Sequence, residues 1–219
     1  MAIYFLSFSL MVSIVKKRRL QAKIMMKSPW MSSIIVSPVV LCLSFIAIYI
    51  LSMGMLPLWG FQIPPLDVLV LLGTLGLVIG IIVVLASESF SPTSGKMSPP
   101  PDARGRIYFF IVIVLLASIS EEVLFRGFVQ QILDTSLLLA ITFGPISVTS
   151  GAIISAVLFG VVHIAPAKKS GSSVLVLVTS AIILGLTAGI FLTVSGSLLL
   201  PILVHIEFNL VGFILGIRK

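Results

Sequence analysis

Residues 120–127 have the sequence Ser-Glu-Glu-Val-Leu-Phe-Arg-Gly and lie in a run that is otherwise apolar from position 107 to 129. Ionisable side chains are expensive to place in hydrocarbon, and there they usually mark a functional site. On a helix, Glu122 and Arg126 are four residues apart with the acid on the N-terminal side, which favours an ion pair. Glu121 is rotated from Glu122 by about 100° and has no such partner. The stretch therefore predicts one carboxylate held by Arg126 and one free for chemistry.

The same pattern has a purely structural interpretation, a buried salt bridge that only fixes the packing of the helix. A bridge of this kind needs one acid, whereas this stretch has two adjacent ones. The second carboxylate therefore favours a functional site.

The composition around this stretch excludes a soluble protein. Of the 219 residues, 58% are hydrophobic and only 10% are charged, more apolar surface than a soluble fold can bury. The net charge of +7 comes from Lys and Arg in short segments between apolar runs. This distribution indicates membrane topology and gives no reason to expect nucleic acid as a partner. The single cysteine excludes an internal disulfide.

The apolar runs predict an all-α, polytopic transmembrane bundle of six spans. Residues 2–15 are apolar but short and precede a basic block, which is typical of a short N-terminal anchor. The apolar segment 134–146 is broken by Gly144-Pro145 and is typical of a re-entrant or interfacial piece. The six spans are predicted at residues 34–58, 66–86, 107–133, 147–164, 174–194 and 198–217.

The second predicted span has Gly73, Gly76 and Gly80 on one helix face, which predicts the close approach of a neighbouring helix.

The spans and loops divide the chain into four regions. The regions are an N-terminal apolar segment with its basic cytoplasmic stretch (1–33), two spans without motifs (34–86), a flexible cytoplasmic loop rich in Pro and Ser (87–106), and a catalytic core (107–219).

The basic residues also predict the orientation of the spans. With residues 16–27 in the cytoplasm, six alternating spans place every Lys and Arg except Arg126 on the cytoplasmic side. The predicted outer connections, residues 59–65, 134–146 and 195–197, contain neither Lys nor Arg. The positive-inside rule therefore supports six spans and predicts a cytoplasmic C-terminus.

Both histidines of the chain lie in predicted spans, each with a partner four residues away. Phe159 and His163 form one such pair, in which the phenyl ring can pack over the imidazole. His205 and Asn209 form the other and place two hydrogen-bonding groups on one helix face. A lone histidine in a span is often a packing residue, but two such pairs and a free carboxylate predict a shared site.

These motifs resemble those of the CPBP family, the CAAX-processing and bacteriocin-processing intramembrane proteases that include the Ras-converting CAAX endopeptidase. The resemblance rests on Glu121-Glu122-x-x-x-Arg126, Phe159-x-x-x-His163 and His205-x-x-x-Asn209, and it covers residues 107–217. The Phe-Arg-Gly that follows the acids is similar to prokaryotic members. We therefore expect an integral protein of a prokaryotic plasma membrane.

The resemblance implies hydrolysis of a peptide bond near the cytoplasmic face. Glu121 and His163 would activate a water, and His205 and Asn209 would donate hydrogen bonds to the oxyanion. Glu122, Arg126 and Phe159 would support these groups. The favoured mechanism has no cofactor. The alternative is a zinc ion held by Glu121, His163 and His205, although the short His-Glu-x-x-His zinc motif is absent.

Two non-proteolytic functions stay open on the sequence. Family members also include immunity and scaffold proteins, so retention of the motifs does not by itself imply turnover. A proton-coupled transporter would also bury acids and histidines, but the inverted repeat expected of one is not visible. The sequence predicts the substrate only as a peptide or protein. The family resemblance implies a substrate with a lipidated or membrane-bound C-terminus. Glu207, about 200° from His205 on its helix, belongs to no motif.

Overall fold

The computed structural model describes residues 29–90, 99–144 and 146–218. Almost all of them are helical, and the strands present in these ranges form one antiparallel hairpin. Short 3₁₀ helices at Pro29–Ser32 and Leu56–Trp59 flank the first long helix. The main elements are α1 (Ser33–Leu51), α2 (Leu66–Phe90), α3 (Ala103–Leu137), β1 (Ala140–Phe143), β2 (Ile146–Thr149), α4 (Ser150–Val162), α5 (Ile164–Ser170), α6 (Val174–Ser195) and α7 (Leu199–Ile217).

Six helical segments are long and apolar enough to cross a bilayer, with α4 and α5 forming one of them. A helix needs about 20 apolar residues to span roughly 30 Å of hydrocarbon, and the shortest of the six has 19 residues. The predicted all-α bundle of six spans is confirmed, and the chain is an integral membrane protein. The predicted N-terminal anchor at 2–15 lies outside the described residues.

Several boundaries differ from the predicted ones. The first long helix ends at Leu51, because the next turn contains Met53 and Gly54 at positive φ. The loop predicted at 87–106 is shorter at both ends, since α2 continues to Phe90 and Asp102 caps α3 by accepting a hydrogen bond from the Gly105 amide at 2.7 Å. These boundaries depend on local turns that hydropathy does not resolve.

The segment predicted as re-entrant or interfacial takes a different form. α3 continues to Leu137, Leu138 at a φ of 50° ends it, and the chain then forms the β1–β2 hairpin. The next span is longer than predicted, because α5 extends it to Ser170. His163 therefore lies at the junction of α4 and α5, inside the span rather than at its end.

α3 alternates between two helical pitches. Its π segments have hydrogen bonds from residue i to i+5, so each turn takes more residues than an α turn. Averaged over the helix this is roughly four residues per turn, which keeps positions four apart on one face. The segments are α at Ala103–Phe109, π at Phe110–Ala117, α at Ser118–Glu122, π at Val123–Gln130 and α at Gln131–Leu137.

The consequence is a buried polar column along α3. Ser118, Glu122, Arg126 and Gln130 follow one another at intervals of four, and all four are fully buried. In a pure α-helix, positions four apart drift by about 40° per step, so three steps would carry the column well around the helix. The alternating pitch therefore keeps these polar side chains inside the bundle.

The three glycines of α2 face a closely packed neighbouring helix, as predicted, and this helix is α7. A Cβ atom on Gly73 would lie 3.1 Å from the Leu203 side chain, and one on Gly80 would lie 2.8 Å from the Phe208 ring. At Gly76 an added Cβ would overlap the Val204 side chain. The small residues let the two helices approach closely, which is a common way for helices to associate in membranes.

The bundle is arranged around α3. α1, α4 and α7 pack against it, while α6 packs between α4, α7 and α2. The main core contains Leu124 and Phe125 of α3, Phe159 of α4, and Leu200 of α7. Three helices that carry predicted site residues, α3, α4 and α7, therefore meet within the bundle.

Candidate active site

Glu122 and Arg126 form the ion pair that their spacing predicts. Nη1 of Arg126 donates to Oε1 of Glu122 at 2.9 Å, and both side chains are completely buried. The guanidinium also lies over the Phe159 ring, with Cζ 4.7 Å from the ring centroid. Gly185 of α6 makes room for it, since a Cβ there would lie 2.9 Å from Nη2. Glu122 is therefore the acid that Arg126 holds.

His205 of α7 lies between the two acids. Its Nδ1 is 2.7 Å from Oε1 of Glu122, and its Nε2 is 3.9 Å from Oε2 of Glu121. A carboxylate only accepts hydrogen bonds, so Nδ1 carries the proton in the contact with Glu122. The separation from Glu121 is too long for a direct hydrogen bond. Nε2 of His205 and the Glu121 carboxylate therefore remain available to a third group between them.

The two acids differ in exposure as well as in partners. The Glu121 side chain is 18% exposed, whereas that of Glu122 is inaccessible. Glu121 is thus the more accessible carboxylate of the pair. This arrangement agrees with the predicted division into one held acid and one free acid.

Phe159 of α4 connects both histidines to the ion pair. Its ring packs edge-on against His163 at a centroid distance of 4.6 Å and against His205 at 5.6 Å. Phe125 packs edge-on against the same ring at a centroid distance of 5.1 Å. Both imidazoles and the Arg126 guanidinium therefore share contacts with one fully buried ring.

His163 is held by its own helix. Its Nδ1 lies 2.7 Å from the carbonyl oxygen of Phe159, which can only accept, so Nδ1 is the protonated nitrogen. Nε2 is left for other partners. Among the described side chains, His163 forms no ion pair with either acid, and the imidazole next to Glu121 is that of His205.

Asn209 joins α7 to α3. Its Nδ2 donates to Oγ of Ser118 at 2.9 Å and to the carbonyl oxygen of Ile113 at 3.3 Å. Both partners are acceptors here, because the Ser118 hydroxyl donates its own proton to the Val114 carbonyl at 2.8 Å. The carboxamide is therefore oriented by α3.

A cavity of about 260 Å³ adjoins these residues. Phe159, His163, His205 and Asn209 line it, together with mostly apolar side chains from α2, α3, α6 and α7. Ser87, Ser173 and Gly212 place it toward the helix ends that also carry Lys168, Lys169 and Arg218. These four predicted site residues thus border a mainly apolar pocket at the basic end of the bundle.

The comparison with protein families agrees with this geometry. The profile of the Rce1-like family, described as type II CAAX prenyl endopeptidase, matches residues 103–211. This part of the chain belongs to the Rce1-like family. The match runs from the start of α3 into α7 and so includes both acids, both histidines and Asn209. Comparisons with curated proteins and with solved structures gave no match.

Family membership confirms the resemblance seen in the motifs. At the level of the family, the chain is a CAAX-protease-like intramembrane endopeptidase. A protein of this kind acts in a lipid bilayer on a peptide substrate. The Rce1-like segment also coincides with the helices that form the site, whereas α1 and α2 lie before it.

The donor set for zinc does not assemble in this arrangement. Within the described ranges, no three His, Cys, Asp or Glu side chains are placed together as metal ligands. Glu121 and His205 approach each other, whereas His163 packs against the Phe159 ring and forms no ion pair with Glu121 among the described side chains. The alternative zinc set of Glu121, His163 and His205 is therefore not brought together within the described ranges.

Two buried polar residues of the site escaped the motif-based prediction, Ser118 and Gln130. Ser118 contacts Asn209, and Gln130 donates to the Gly189 carbonyl at 3.1 Å. A signal for both exists in the sequence, since each lies four residues from a member of the Glu122–Arg126 pair. Polar residues repeated every four positions in an apolar span indicate a buried face.

Glu207 lies apart from this site. Its carboxylate faces α2, where a Cβ added to Gly76 would lie 3.2 Å from Oε2. That oxygen is buried and makes no hydrogen bond with the described residues. This position agrees with the expectation that Glu207 points away from His205.

Proposed function

We propose that the protein is an endopeptidase that hydrolyses a membrane-associated peptide near the cytoplasmic face by a glutamate-dependent mechanism. The observation that carries the proposal is the pair formed by Glu121 and Nε2 of His205, 3.9 Å apart. The two groups face each other at a distance that is too long for a direct hydrogen bond, so a reacting group can lie between them. Family membership supports the reaction class, and the geometry supports the assignment of roles.

In the first step, Glu121 accepts a proton from a water molecule that it holds together with His163. The water oxygen forms a bond to the carbonyl carbon of the substrate, and the π electrons of that carbonyl move to the carbonyl oxygen, which becomes the oxyanion. Nε2 of His163 is the nitrogen available to this water, since Nδ1 is engaged by the Phe159 carbonyl. When the C–N bond breaks, the proton held by Glu121 passes to the leaving amine.

His205 and Asn209 stabilise the oxyanion of the tetrahedral intermediate. His205 donates from Nε2, the nitrogen that faces Glu121, while its Nδ1 stays bonded to Glu122. Asn209 donates one of its two amide N–H groups. Arg126 and Phe159 do not touch the reacting atoms in this mechanism and instead hold Glu122 and the two imidazoles in place.

The location of the site supports a cytoplasmic approach of the substrate. Arg104 and Arg106 begin α3, Lys168 and Lys169 end α5, and Arg218 follows α7. The cavity lies toward this basic end, which the positive-inside rule assigns to the cytoplasm. Its apolar walls suit a peptide that carries a lipid group or is anchored in the membrane.

The test uses purified protein in lipid vesicles and two peptides with a C-terminal CAAX sequence, one farnesylated and one without the lipid. Mass spectrometry detects the released fragment. We expect cleavage of the farnesylated peptide by the wild type, and a loss of about 10²–10⁴-fold in Glu121→Gln. Glu207→Gln is the matched control, because it makes the same change in another intramembrane glutamate outside the site.

Substrate trapping with Glu121→Gln extends the test beyond the two peptides. A variant that binds but does not cleave should retain membrane peptides, and the wild type should cleave those peptides. Equal turnover by Glu121→Gln and the wild type would contradict the role of Glu121. A wild type that cleaves neither the CAAX peptides nor the trapped peptides would favour the non-catalytic scaffold or the proton-coupled transporter.

A further inference from the structure

We propose that Ser118 is a positioning residue for Asn209. It anchors one N–H of the Asn209 carboxamide, so that the second N–H is held at the wall of the cavity. The inference rests on the proposed oxyanion role of Asn209 and adds a residue outside the three motifs.

The direction of the hydrogen bonds at Ser118 is determined by its partners. Its hydroxyl donates to the Val114 carbonyl at 2.8 Å, so the hydroxyl oxygen can only accept from Nδ2 of Asn209 at 2.9 Å. Ser118 is fully buried, which excludes water as a competitor for this contact. The bond therefore restrains the rotation of the carboxamide.

The two N–H groups of Asn209 are not equivalent. The one that meets Ser118 makes the shorter contact, whereas the one that meets the Ile113 carbonyl spans 3.3 Å. Ile113 lines the cavity together with Asn209. A charged oxygen is a stronger acceptor than a neutral carbonyl. A developing oxyanion would thus replace Ile113 as the acceptor, while the bond to Ser118 persists.

The π segment of α3 makes this double contact available. Ile113 lies inside the π segment Phe110–Ala117, and Ser118, five residues further on, directly follows that segment. The wider winding of a π segment brings positions five apart closer to one face than an α-helix does. In an α-helix they would differ by about 140° in direction and by about 7.5 Å along the axis. One carboxamide can reach both groups because of the wider turn.

Asn209 is the only asparagine in the chain, which permits a direct observation of this contact. Protein labelled with ¹⁵N-asparagine in detergent micelles shows one side-chain NH₂ group. We expect two separate proton resonances that exchange slowly with water. In Ser118→Ala, the proton that met Ser118 should shift and exchange faster. Ser120→Ala is the matched control, since Ser120 is also buried on α3 but donates only to the Ala117 carbonyl.

Turnover of the farnesylated peptide gives the second measurement. Ser118→Ala should lower kcat about tenfold, less than the roughly 10²–10³-fold effect of removing an oxyanion donor, and leave KM unchanged. In an Asn209→Ala background the same change should have no further effect, because the anchored group is gone. If Ser118→Ala does not fold, Ser118→Cys retains the size and a weak acceptor, and should change kcat in the same direction by less.

Three results would overturn the inference: unaltered Asn209 resonances in the Ser118 variant, altered resonances with wild-type kcat, or an undiminished effect of Ser118→Ala on kcat in the Asn209→Ala background. A wild type without any peptidase activity is a different result. It would remove the proposed function, while the NMR comparison still decides whether Ser118 holds the carboxamide.

Discussion

Removing the carboxylate of Glu122 deprives two buried groups of their acceptor. The first is Arg126, whose Nη1 bonds to Glu122 and whose Nε and Nη2 have no hydrogen-bond partner among the described residues. The second is Nδ1 of His205. Breaking a buried ion pair from one side destabilises a protein by about 3–5 kcal/mol, and an imidazole left without its acceptor adds on the order of 1 kcal/mol.

We therefore expect Glu122→Ala to lower the free energy of unfolding by roughly 4–6 kcal/mol, a large part of the 5–15 kcal/mol typical of folded domains. Glu121→Gln should change it by less than about 1 kcal/mol, because the ion-pair contact of Glu121 with Nε2 of His205 is 3.9 Å long. Activity should fall in both variants, since one loses the support of the site and the other loses the base.

The assay is reversible unfolding of the purified variants by sodium dodecyl sulfate in mixed micelles, followed by circular dichroism. A double variant, Glu122→Leu with Arg126→Met, is the control, since replacing both members of a buried pair by apolar residues is often nearly neutral. It should recover much of the stability and none of the activity. A stable Glu122→Ala beside a strongly destabilised Glu121→Gln would refute the division of roles between the two acids.

Four further predictions concern the site, its chemistry, the helix packing and the topology. Asn209→Ala should lower kcat by about 10²–10³-fold and leave KM nearly unchanged, because the lost interaction exists only in the transition state; steady-state kinetics with the farnesylated peptide measures both constants. Elemental analysis should find no stoichiometric zinc, and activity should survive chelation; one zinc per chain, lost and restored together with activity, would contradict the glutamate mechanism. Gly76→Ala should lower the free energy of unfolding by about 1–3 kcal/mol, since its Cβ would overlap Val204, whereas Gly212→Ala, with open space around the added atom, should unfold like the wild type in the same denaturation assay. A reporter fused after Lys219 should indicate a cytoplasmic C-terminus, and an exterior signal would contradict both the orientation and a cytoplasmic site.

Much of this protein was determined by local features of the sequence. Long apolar runs predicted the six spans, because each membrane helix must satisfy its backbone hydrogen bonds within itself. The Glu122–Arg126 pair followed from four-residue spacing on one helix, which also predicted the contact between Phe159 and His163. The glycine face of α2 was visible for the same reason. All of these depend on residues that are close in the chain.

The tertiary structure decided which helix faces meet. The position of His205 between Glu121 and Glu122, the packing of both imidazoles on Phe159, and the anchoring of Asn209 by Ser118 each join different helices. In a soluble protein, the apolar face of a helix indicates the direction of the core. A membrane span is apolar on the lipid side as well, so this signal is lost and only the packed bundle assigns each polar group its partner.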